Sequence, residues 1–212
     1  TVAGSNTADA FGGDGGAATA AAVRFYDPEG IDIDASGNIY IADLGNERIR
    51  KVTVSTGIIS TVAGDGVFAD AGDGGQATAA SFKQPGGVTI DKTTGDIYIV
   101  DATSCRARKV TAATGIITTV AGNGTAGFSG DGGAATAAQL SGPSGIAISD
   151  GGGCLYIADW SNKRIRFVDI GGGGVGSCAS VPGSCPMVLP VQLLFFNVKC
   201  ETLPGLSKGQ PK

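Results

Sequence analysis

Three aspartates, Asp43, Asp101 and Asp159, close the phrases YIAD, YIVD and YIAD, and each is followed by an R-x-R pair: Arg48 and Arg50, Arg106 and Arg108, Arg164 and Arg166. With Asp32, Asp34 and Asp91 nearby, such carboxylates are hard oxygen donors of the kind that hold Ca²⁺. The same residues also suit a purely structural task. An aspartate at a strand end before a turn caps backbone amides, and an arginine at fixed spacing is its natural ion-pair partner. Because the pattern recurs unchanged in type, the second reading is the stronger one. The expected structural pairs are Asp43 with Arg48, Asp101 with Arg106 and Asp159 with Arg164, with no metal site. The arginines of each pair alternate along the chain and so fall on one side of a strand. A basic stripe of that kind can grip phosphate, but the net charge of −4 and the 6% aromatic content oppose a nucleic-acid surface.

The absence of histidine removes a large share of enzyme chemistry, including Ser-His-Asp catalysis and imidazole-ligated metals. The GDGG phrases at 13–16, 72–75 and 130–133 could cradle a phosphate, yet none precedes the lysine that a phosphate-binding loop requires. No cofactor is implied. Of five cysteines, Cys178, Cys185 and Cys200 crowd a Gly/Ser/Pro-rich stretch, so at least one disulfide and an oxidising, extracellular or cell-surface setting are expected. The sequon at Asn123 leans the same way as a glycosylation candidate. The most apolar run, MVLPVQLLFF at 187–196, is too short for a membrane-spanning helix and contains a proline.

The elements that carry these residues come in copies. Tyr40, Tyr98 and Tyr156 recur at a 58-residue spacing, which defines copies over 1–60, 61–118 and 119–176, followed by a Cys/Gly/Pro-containing tail over 177–212. Within the first copy, GIDID, NIYIAD, ERIRKVT and IISTVAG are short, rich in β-branched residues and separated by Gly37, Gly45 and Gly57. Four antiparallel strands follow, with Ile31, Ile33, Ile39 and Ile41 expected on interior faces. The long run of small residues between copies, GDGG followed by ATAA, is expected to cross from one sheet to the next.

The ordered pattern P-x-G-[IV]-x-[IV]-D, then [IL]-Y-I-[AV]-D, N-x-R-I-R-K-V and TG-I-I-[ST]-TVAG resembles NHL repeats over residues 1–168. The resemblance implies an all-β fold: a β-propeller of four-stranded antiparallel blades, three of them in this chain. Departures are Ser104 in place of the asparagine at Asn46, Ala107 in place of Ile49, Phe167 in place of Lys51, and the loss of the TG-I-I-TTVAG phrase after Asp169. Amidating lyases similar to this family use metal-bound histidine, which is absent here. The expected function is a non-enzymatic extracellular scaffold that contacts protein or glycan. The alternative is a fragment of a Ca²⁺-dependent six-bladed hydrolase or lyase. Three blades do not fill a ring of four to eight, so the residues are expected to be part of a longer propeller or, through open blade edges, to self-associate as a six-bladed ring or a filament.

Overall fold

A computed structural model describes residues 1–5, 11–20 and 22–171. The tail, with Cys178, Cys185, Cys200 and its apolar segment, lies outside the described residues.

The first copy forms β1 (Pro28–Ile33), β2 (Ile39–Asp43), β3 (Arg48–Thr53) and β4 (Ile58–Ala63). The second forms β5 (Pro85–Ile90), β6 (Ile97–Asp101), β7 (Arg106–Val110) and β8 (Ile117–Ala121), and the third β9 (Pro143–Ile148), β10 (Cys154–Asp159) and β11 (Arg164–Asp169). Each set is an antiparallel meander in chain order, with four strands in the first two sheets and three in the last. β4 and β8 straddle the borders at 60/61 and 118/119 between sequence copies. Proline at the head of each inner strand has no N–H to offer the ladder. The register shifts just after Pro28 and Pro85, and between Ala158 and Asp159 opposite Pro143.

The inner strands β1, β5 and β9 lie side by side, and the sheets pack face to face around them as blades of a β-propeller. Between the first two blades, Tyr40, Ala42, Ile49 and Ala63 meet Val88, Ile90, Ile97 and Ile99. Between the second and third, Tyr98, Val100, Ala107 and Ala121 meet Leu155, Ile157 and Ile146. This alternation of apolar faces is what β-branched strands in period two provide.

The run of small residues has a definite task. After β4 the chain travels along the outer edge of the next blade. Gly74 N donates to Ile117 O (2.8 Å), Ile117 N to Gly75 O (3.0 Å) and Ala77 N to Gly115 O (2.8 Å). The first copy repeats this beside β4, where Gly15 N reaches Ile59 O (2.8 Å) and Ala18 N reaches Gly57 O (2.7 Å). The segment then doubles back on itself. A Cβ on Gly72, at φ +93°, would stand 2.6 Å from Ala80 Cα, so glycine is needed there. The outer edges of β4 and β8 are therefore paired, while in the three-stranded third sheet β11 is the edge strand among the described residues. A face is exposed as well. Ile31 and Ile33 are exposed although their equivalents Val88 and Ile90 are buried, because no blade packs against β1 on that side among the described residues.

Candidate functional site

The three aspartates end their strands fully enclosed, and each receives the chain as it arrives from the connection. Tyr26 N donates to Asp43 Oδ1 (2.8 Å), Lys83 N and Gln84 N to Asp101 (2.7 and 3.0 Å), and Ser141 N to Asp159 (2.7 Å). Asn46 and Asn162 add side-chain amide donors to Asp43 and Asp159. Where Ser104 replaces asparagine, its backbone N–H serves Asp101 instead (3.0 Å), and its buried hydroxyl has no partner among the described residues.

The ion pairs correct the expected partners. Asp43 pairs with Arg50 (3.2 Å) and Asp159 with Arg166 (3.2 Å), not with Arg48 and Arg164. Among the described residues Asp101 joins no arginine, and Arg106 pairs with Asp70 (2.9 Å). The second arginine of each R-x-R points inward and the first lies nearer the rim. Arg48 donates to Asp65 O (2.6 Å) and stacks over Phe11 (3.8 Å), and Arg164 stacks over Phe128 (3.9 Å).

The inward arginines are what the GDGG aspartates are for. Arg50 reaches Asp14 (2.6 Å), Arg108 reaches Asp73 (2.6 Å) and Arg166 reaches Asp131 (2.6 Å). Each also donates to carbonyls of the connection, as Arg108 does to Ser81 O and Ala71 O, both at 3.0 Å. The second carboxylate oxygen of Asp73 accepts Thr119 N (2.9 Å), so one side chain ties the connection, a buried arginine and the outer strand together. Partial burial pushes this carboxyl up, and the hydrogen bonds from Thr119 and Arg108 outweigh it, leaving Asp73 below the ordinary carboxylate range. Burial has the upper hand at Asp43, whose carboxyl is raised. The sequence reading missed this pairing, although the constant GDGG phrase in every copy was its signal.

The carboxylates considered for Ca²⁺ are occupied otherwise. Asp32 accepts Thr89 Oγ1 (2.9 Å) and Ile90 N (2.8 Å) from the neighbouring blade, and Asp34 and Asp91 hold their own turns. Among the described residues no group of three or more metal-ligating side chains occurs. Asn123 is exposed on its loop, with Nδ2 donating to Ala137 O (3.2 Å) and Oδ1 accepting Thr125 N (2.9 Å). Cys105 is a buried free thiol.

Among the described residues, two apolar faces are uncovered. On the first blade these are Ile31, 61% exposed, and Ile33. On the third they are Tyr156, Phe167 and Ile165, the last 70% exposed where its equivalent Ile49 is at 0%.

The family model for the NHL repeat matches residues 25–52, and that for the teneurin NHL domain matches residues 67–126. The chain is an NHL-repeat protein. Among relatives of these NHL repeats, the protein Suppressor of quenching 1, chloroplastic, of Arabidopsis thaliana is 32% identical over 70% of this chain and 14% of its own length. Human NHL repeat-containing protein 2 is 27% identical over 88% of this chain and 26% of its own. A structural genomics protein of unknown function from Bacteroides thetaiotaomicron superposes with a TM-score of 0.54 at 30% identity, over 63% of this chain and 32% of that one. The NHL chain thus spans about a quarter or less of the curated relatives it matches. Among the described residues no helix is long and apolar enough to cross a membrane.

Proposed function

We propose that the chain is a non-enzymatic interaction scaffold whose two terminal blade faces dock further blades, with a second copy of the chain as partner. The observation that carries this reading is the match between what is exposed and what is paired inside. Ile31 and Ile33 belong to the face that the second and third blades bury. Tyr156 and Ile165 belong to the opposite face, which the first and second blades bury. A head-to-tail contact between copies therefore repeats an interface already formed twice, and it closes a ring or extends a filament according to its rotation. Fold likeness alone assigns no activity.

Light scattering across a concentration series tests this. The full chain is expected to associate, and Ile165→Asp is expected to shift it to monomer, because it puts a charge into the contact. A monodisperse monomer for the unmodified chain overturns the reading.

The scaffold is further proposed to work outside the cell, with a disulfide among Cys178, Cys185 and Cys200 or between one of them and a repeat cysteine, and a glycan on Asn123. Glycosylation would cost Asn123 its bond to Ala137. Mass spectrometry of the native protein, alkylated under denaturing conditions without reductant, is expected to find fewer than the five thiols of the sequence. Five alkylated cysteines and an unmodified Asn123 would count against the compartment.

A further inference from the structure

A cleft of about 630 Å³ opens where the heads of β1, β5 and β9 meet the short turns that follow β2, β6 and β10. Its framework is the repeated one, Pro28, Pro85 and Pro143 with the buried aspartates. Its lining is not repeated. The residue after each proline is Glu29, Gly86 or Ser144, and the residue after each aspartate is Leu44, Ala102 or Trp160. Equivalent positions that differ from copy to copy, converging on one cleft, are what an asymmetric ligand requires and what blade packing does not.

The lining is polarised. The first blade supplies two carboxylates, Asp27 and Glu29, and among the described residues no lysine or arginine lines the cleft. Neither carboxylate joins an ion pair among the described residues. Glu29 reaches across to the second blade, where a Cβ on Gly86 would lie 2.7 Å from Oε2. The third blade supplies Trp160, the chain's single tryptophan, 71% exposed. Its ring stands beside Gly142, where an added Cβ would come within 3.9 Å of Cε3. An exposed indole costs hydration that a bound apolar group would relieve.

We propose that this cleft binds a basic peptide segment, a lysine or arginine side chain between Asp27 and Glu29 and a neighbouring apolar side chain against Trp160. Charge complementarity selects the cation, and the indole at the far side selects a segment over a free ion. This site is separate from the terminal faces, so its failure and theirs are read independently.

The test uses Trp160 as its own reporter. An acetylated, amidated hexapeptide of alternating leucine and lysine is titrated into the full chain while tryptophan fluorescence is followed. Its leucine–glutamate counterpart and a neutral glucan oligosaccharide serve as comparisons. The basic peptide is expected to give a saturable change, weakened about tenfold or more by Asp27→Asn with Glu29→Gln and weakened by salt. These residues are exposed, so the variant is expected to keep the far-UV circular dichroism of the parent. Calorimetry with Trp160→Ala is expected to show weakened binding. No saturable change, equal affinity in the double variant, or a response to the acidic peptide overturns the proposal. A response to the oligosaccharide alone reassigns the cleft to sugar.

Discussion

Arg108→Ala is expected to lower stability by about 3–5 kcal/mol, as for removal of one partner from a buried charged network. The guanidinium is almost wholly enclosed and divides its donors between Asp73, Ser81 O and Ala71 O. Alanine takes the arginine donors from Asp73 and Ser81 O, leaves Ala71 O with Ser81 N alone (3.2 Å), and opens a void beside Phe82, over which the guanidinium lies (5.1 Å). Arg106 sits two residues away on the same strand and pairs with Asp70 nearer solvent, so Arg106→Ala should cost at most about 1 kcal/mol. Arg108→Lys should recover little, since one ammonium cannot span three acceptors in a fixed fork. Urea denaturation of the three variants decides the matter. If the two alanine variants lose equal stability, the inward arginine has no special standing.

The second large effect is expected at a glycine. Gly72→Ala meets two obstacles at once, a φ of +93° and the backbone of Ala80 at 2.6 Å. Left-handed backbone costs about 1–2 kcal/mol for a side-chain-bearing residue, and forced repacking about 1–3 kcal/mol more. Gly74, two positions on, has φ +83° and nothing within 4 Å of its added Cβ, so Gly74→Ala carries only the first of these costs. The expected order, parent above Gly74→Ala above Gly72→Ala, is checked by the same denaturation midpoints. Equal losses would mean that the doubled-back segment yields without strain. Gly130 repeats the geometry against Ala138 at 2.6 Å, and its alanine variant should behave like that of Gly72.

The strands were legible because their signal is local. GIDID, NIYIAD and ERIRKVT each carry period-two apolarity between turn residues, and β1, β2 and β3 lie on them within a residue or two. The arginine partners were not legible. Asp43 and Arg48 face each other in the ladder, yet a long side chain two residues further on is the one turned inward, a choice made by the space beneath the connection. GDGG read as a crossing between sheets because its glycines are conspicuous, while the chemistry lay in the aspartate between them. The buried equivalents of Ile31 depend on a neighbouring blade, which no local pattern encodes. The cleft was invisible for a further reason: alignment of copies treats Glu29, Gly86 and Ser144 as drift around a motif, and only their convergence in space gives the differences a meaning.

Because the connections before the first and second blades cover the outer strands β4 and β8 of the blades that follow them, the portable unit of this architecture begins with its own cover. A segment running from Gly64 through Ala121 carries both the strip over β8 and the arginine that holds that strip. A cut placed after GDGG would separate Asp73 from Arg108 and hand the blade on with a bare strand edge. Duplication or transplantation of such repeats can therefore succeed only at the borders where β4 and β8 end. Emergence from the ribosome follows the same order, since the protecting strip is synthesised before the edge it protects.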